Sequence, residues 1–236
     1  MKTRKKLGLG RRNEKRDVRP VWAACAALLD YPDERLIEGL DGIAALVPDD
    51  PHLQPVIEHL RTHSLRELQV DYVKAFDLTR KCSPYLTYFS HGDTRRRGLA
   101  LVEFKETYRA AGVEFDPSED ELPDHLSVVL QFGALVDTAG ALKLLLDHRA
   151  GVEMLRLALE NFDDGDGSPW WGVVAAVCAT LPPLDGDEAD AVRRLVEAGP
   201  PAEEVGLGGY GDPALQAPPA AGPTLISSAR IPVGAP

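Results

Sequence analysis

From Leu36 to Leu181 the apolar residues recur at intervals of three and four, and no stretch alternates convincingly at period two. That pattern is the strongest constraint on this chain. It predicts an all-α bundle in which each segment buries one apolar stripe. Pro32-Asp33-Glu34 opens a helix running toward Val47, with Leu36, Ile37, Leu40, Ile43 and Ala44 on one face. Ser64 and Glu67 have the spacing of a capping box ahead of Leu65, Leu68, Tyr72 and Phe76. A helix over 94–111 carries Leu101, Phe104 and Tyr108 and ends at Gly112. Another starts at Asp124 or the residue before it, with Asp124 suited to the N-cap, and carries Leu126, Val129, Leu130 and Gly133. The stripe from Leu142 to Phe162 reads as one long helix or two, and Ser168-Pro169 launches a last core helix to Leu181.

Charge divides the chain further. Residues 1–19 hold nine of the 26 basic side chains and two acids, Glu14 and Asp17; the remainder carries −18 against +7 for this segment. So acidic a body repels nucleic acid and anionic lipid and attracts basic segments of other proteins. The apolar run from Val21 to Leu29 is too short for a membrane span and lacks a small-residue cleavage site, and Arg11-Arg12 precedes Asn13-Glu14. Three units are expected: a basic disordered extension over 1–19, a helical domain over 20–198 and a disordered tail over 199–236, where eight prolines and seven glycines leave little to bury. A short helix, Glu188 to Ala198, precedes the tail. Cys25, Cys82 and Cys178 are widely spaced and odd in number, which fits a reducing compartment; Cys82 is placed in an exposed loop.

Few residues suggest chemistry. His59 and His63 share a helix face but lack a glutamate partner or third ligand, so they read as surface histidines. Asp163, Asp164 and Asp166 lack the remaining spacing of a calcium loop and read as a polar turn. Gly206 to Gly211 neither follows a strand nor opens a helix, against a phosphate-cradling role. Arg95, Arg96 and Arg97 fall in a first helical turn, where the dipole disfavours cations. Either acidic residues of the body pair with them, or they recognise a carboxylate or an anionic cofactor group. Asp124 and His125 suit either a structural corner or general acid–base work. Tyr72 and Phe76 fit a core stripe, whereas Tyr85, Tyr88 and Phe89, three aromatics within five loop residues, suit a groove with an apolar floor and a polar rim.

Four segments, Tyr72 to Asp77, Ser83 to Tyr88, Gly92 to Gly98 and Glu121 to Leu126, resemble the NarJ family of respiratory nitrate reductase assembly chaperones, relatives of TorD and DmsD. The Leu122 form of the corner, together with Gly92-Asp93-Thr94-Arg95, points to the nitrate reductase branch. The resemblance implies a cytoplasmic all-α chaperone with no enzymatic activity and no stably bound cofactor. The implied partner is the N-terminal segment of the nitrate reductase catalytic (alpha) subunit, which then receives the molybdenum bis-guanine-dinucleotide cofactor and docks at the membrane. Molybdenum cofactor biosynthesis proteins are further possible partners; nucleic acid and direct membrane insertion are not implied. The expected client-peptide site comprises Tyr72, Phe76, Tyr85, Tyr88, Phe89, Asp93, Arg95, Arg97, Glu121, Pro123, Asp124 and His125. The alternatives are a chaperone for another molybdoenzyme, a small helical enzyme using Asp124 and His125, and a nucleic-acid module acting through residues 1–19.

Overall fold

A computed structural model describes residues 17–91, 95–114, 121–187, 189, 190, 192 and 194, with the side chains of 95 and 96 outside that set. The arm before residue 17, Asp93, Gly206 to Gly211, the tail over 199–236 and most of the expected helix over 188–198 therefore lie outside the described residues. Ten α-helices account for most of the described chain: α1 Arg19–Leu28, α2 Glu34–Leu46, α3 Leu53–Thr62, α4 Leu65–Tyr72, α5 Tyr88–His91, α6 Arg95–Ala110, α7 Leu126–Leu135, α8 Thr138–Asp147, α9 Arg149–Glu160 and α10 Trp171–Thr180. The long apolar stripe is thus two helices, which meet at His148.

The predicted caps are present. Asp33 accepts from Leu36 N at 2.8 Å to start α2. Ser64 and Glu67 exchange both bonds of a capping box at the start of α4. Gly112 takes a φ of +81° just past α6, a conformation that costs glycine nothing. Two starts differ from expectation. The Ser168 hydroxyl accepts from Trp170 N, but the regular helix begins at Trp171, two residues beyond the expected proline. Asp124 does not cap α7; His125 does, its Nδ1 accepting from Ser127 N at 3.2 Å. After Tyr72, α4 continues as a π-helical turn over Val73–Asp77, in which Leu78 N reaches back to Val73 O.

Helix α1 is the hub, packing on α7, α10 and α2. It crosses α7 at Gly133, where an added Cβ would lie 2.6 Å from Trp22 ring carbons and from the Ala141 Cβ. The terminal carbonyls of α1 have no partner within the helix. Trp170 Nε1 donates to Leu28 O at 3.0 Å and the Tyr72 hydroxyl to Leu29 O at 2.9 Å. Large aromatic side chains thereby bury their area and satisfy backbone groups together. Tyr72, Phe76 and Trp170 pack as one group, with ring centroids 4.7 to 5.8 Å apart. Arg149, Glu153 and Arg156 form a largely buried ion-pair chain along α9. Among the described residues, no helix is long and apolar enough to cross a membrane.

Candidate functional site

Two segments that lie far apart in the sequence form one unit. Leu86 N donates to Asp124 O at 3.0 Å and Leu126 N to Pro84 O at 2.9 Å, so the Ser83–Tyr88 loop and the Leu122–Leu126 corner bridge antiparallel at Tyr85 and His125. Asp124, fully buried, accepts from Thr87 Oγ1 at 2.5 Å and Thr87 N at 3.2 Å through Oδ2. Arg97 Nη2 lies 3.6 Å from the same oxygen, and Arg97 Nε donates to Thr87 Oγ1 at 3.2 Å. The Tyr108 hydroxyl donates to Pro123 O at 2.6 Å and joins α6 to the corner. The acidic-pairing account of the arginines therefore holds for Arg97; the side chain of Arg95 lies outside the described residues.

His125 is buried, and its ring meets Tyr85 edge-on at 5.1 Å. Burial holds its imidazole below the ordinary value of 6.5, with Glu121 and Asp124 opposing the shift. Nδ1 accepts from Ser127 N, so the neutral ring carries its proton on Nε2. Asp124 is engaged with Thr87 and Arg97, and His125 with Ser127. Neither side chain is arranged as the acid–base pair that an enzymatic reading requires.

Several expected site residues belong to the core. Tyr88 is 7% exposed and Phe89 2%, and their rings pack edge-to-face at 5.8 Å. The reason is the bridge: it draws the loop under the corner and lays α5 against α9, where Gly151 lets Leu86 O approach within 2.9 Å of its would-be Cβ. Tyr72 and Phe76 are buried as well. Of the aromatics expected to line a groove, only Tyr85 remains half-exposed. Cys82, placed in an exposed loop from sequence, is buried, and burial pushes its thiol up to about 11. His63 is exposed and His59 half-buried, their rings 4.0 Å apart. No group of three or more metal-binding side chains occurs among the described residues. Asp163 sits in a tight turn and pairs with Lys74 at 2.6 Å.

The open surface lies beside the corner. A groove of about 410 Å³ runs along α7 between the end of α1 and the end of α6. Its apolar lining includes Val128, Leu135 and Val136, and its charges are Asp30, Glu114 and Glu121. Leu135 is 72% exposed and Val136 51%, and Leu122 next to Glu121 is 38% exposed. Burial pushes the Asp30 carboxyl above its ordinary value; a hydrogen bond from Ser127 opposes this, and Asp33 and Glu121 add to it. A larger hollow, about 540 Å³, lies between Pro51, His59 and Trp171, and none of the exposed large apolar side chains lines it. Sequence reasoning did not identify Leu135, Val136, Val128, Asp30 or Glu114. One signal was available: α7, LSVVLQFGAL, is apolar apart from Ser127 and Gln131, which share one face, and so apolar a bundle helix must either be enclosed or leave a face exposed.

Comparison with known proteins agrees with this architecture. The family model for the nitrate reductase delta subunit matches residues 42–175, which contain the loop, the corner and α7. The nitrate reductase-like protein NarX of Mycobacterium tuberculosis is 35% identical over 162 residues, 68% of this chain; the chain spans only 24% of that protein. The probable nitrate reductase molybdenum cofactor assembly chaperone NarJ of Bacillus subtilis is 33% identical over 149 residues, 61% of this chain and 80% of that one. The Escherichia coli K12 chaperone NarJ is 33% identical over 142 residues, 57% of this chain and 59% of that one. A crystal structure of a redox enzyme maturation protein from Archaeoglobus fulgidus, 24% identical, superposes with a TM-score of 0.50 over 76% of this chain and 93% of that one, which supports the helical fold. With the match covering more than half of its 236 residues, the chain belongs to the nitrate reductase delta subunit family.

Proposed function

We propose that this protein is an assembly chaperone for a respiratory nitrate reductase, holding the N-terminal segment of the catalytic subunit while that subunit awaits its molybdenum bis-guanine-dinucleotide cofactor and membrane docking. The chaperone itself is not an enzyme and carries no stable cofactor. Its work is done in the cytoplasm by the helical domain, which the sequence bounds at 20–198. One observation carries the reading: in a member of this family, the exposed apolar end of α7 and three carboxylates, Asp30, Glu114 and Glu121, line one groove.

An apolar floor with an acidic rim fits a basic amphipathic segment laid in as a helix. Apolar contacts supply most of the affinity, and the rim supplies the association rate and the register. The −18 charge of the chain beyond residue 19 works in the same direction over longer range. The corner does not contact the client through its buried groups. Asp124, Pro123 and Arg97 fix the position of Glu121 and Leu122 relative to α7, and through them the width of the groove.

Co-purification with the catalytic subunit tests this reading. Full-length subunit is expected to be retained, and subunit lacking its N-terminal segment is expected to be lost. Retention of both forms would remove the N-terminal segment as the client site. Retention of neither would remove the chaperone assignment.

A further inference from the structure

We propose that Tyr85 is a positioning residue for client recognition, whose hydroxyl holds the Glu121 carboxylate at the groove in the orientation that receives a lysine or arginine of the client. This assignment rests on the reading of the groove as the client site.

Glu121 Oε1 accepts two hydrogen bonds, from the Tyr85 hydroxyl at 3.0 Å and from Leu122 N at 2.9 Å. Oε2 takes no hydrogen bond from the described residues, and Glu121 lines the groove. An exposed glutamate ordinarily surrenders its rotamer freedom when it pairs with a cation, which is why surface ion pairs contribute so little. Here that freedom is already spent in the unliganded protein, so the client's cation meets a preorganised oxygen.

Tyr85 is itself immobilised on several sides. Its ring takes the edge of His125 at 5.1 Å and carries the Arg97 guanidinium over its face, 5.1 Å from the centroid. Its backbone carbonyl accepts from Tyr88 N at 3.1 Å, and the next peptide bonds the corner. Enclosed in this way, the ring is not a free anchor for an apolar client residue; the hydroxyl is the part that reaches the rim. Burial, then the neighbouring Glu121, pushes the phenol upward, with Arg97 opposing, so it remains a donor throughout the physiological range. Asp30 and Ser127 line the same groove, and the Ser127 hydroxyl lies 2.8 Å from His125 Nδ1. The repulsion between Asp30 and Glu121, part of what raises Asp30, is relieved when a cation enters.

Tyr85→Phe removes the hydroxyl and leaves both ring contacts. Isothermal titration with a synthetic peptide of the catalytic subunit's N-terminal segment is expected to show an affinity about three- to tenfold lower at low salt. The difference should close near 1 M salt, where screening reduces the reach of exposed charges to about 3 Å. Glu121→Asp, which keeps the charge but shortens its reach, and Glu121→Gln should each lose a similar factor, and Tyr85→Phe with Glu121→Gln together no more than either alone. A loss that is equal at both salt concentrations, or full additivity in the double variant, would mean that Tyr85 acts through packing, and would overturn the proposal. So would wild-type affinity in Tyr85→Phe at low salt. Should Tyr85→Phe melt early, Glu121→Asp carries the same comparison on a residue at the exposed rim. Failure of the wild-type protein to bind the peptide would overturn the functional reading and this assignment together. Normal binding with an unaffected Tyr85→Phe would overturn this assignment alone.

Discussion

The two ends of α7 are built on opposite principles. At its N-terminus, His125 caps the first turn, Asp124 is fully buried, and the loop over residues 83–88 is bonded to the corner by backbone and side chains alike. At its C-terminus, ten residues on, Leu135 and Val136 stand largely uncovered in a groove that Asp30, Glu114 and Glu121 also line. The first end is held by internal bonds, and the second leaves large apolar side chains exposed. One helix therefore joins a rigid reference point to an unsatisfied surface, and the residues that are most distinctive in sequence belong to the rigid end.

The contrast is sharpest in stability. Phe89→Ala should lower unfolding free energy by about 3–5 kcal/mol, and Asp124→Ala by about 3 kcal/mol, since it leaves Thr87 and Arg97 facing an empty space. Denaturant melts of both variants check this. A melt close to wild type for either would mean that the locked end is less committed than its hydrogen bonds suggest. At the open end, Leu135→Asp should leave the melt nearly unchanged and weaken client-peptide binding by about 1–3 kcal/mol, read by calorimetry. Loss of stability without loss of binding there would reverse the comparison.

The smallest expected effect is on pH. The imidazoles of the buried His125 and the half-buried His148 are held below their ordinary value of 6.5, so in the folded protein they stay neutral where the unfolded chain is already protonated. The unfolded state then binds more protons, and stability falls as pH drops through 6.5 toward the depressed folded values. Thermal melts from pH 8 downward should show that decline. His125→Asn, which retains a capping acceptor but does not titrate, should flatten part of it. A slope unchanged in His125→Asn would assign the effect to His148 and the half-buried His59.

Much of this was legible in the residues. Helical periodicity, the Ser64–Glu67 box, the Asp33 cap and Gly112 located most elements within a turn, because each is a local physical requirement. The corner was visible as a motif, but its role was not. Whether Tyr88 and Phe89 face a client or the core depends on the pairing of Leu86 with Asp124, a contact across 38 residues that no local pattern encodes. The same holds for Asp124, which a local rule assigned to a helix cap and the tertiary structure gave to Thr87. The groove escaped notice because ordinary residues build it: a leucine and a valine that would be unremarked in any core become a surface only because no other helix among the described residues covers them.

The crossing of α1 and α7 at Gly133 has a consequence for how such a protein diverges. With Trp22 and Ala141 closed around that position, any side chain larger than glycine's would have to displace them or push the helices apart. Adaptation to a different client must therefore proceed by exchanging side chains along a stationary helix, at positions such as 128, 135 and 136, and lineages that change partners should conserve the backbone path while the groove's chemistry drifts.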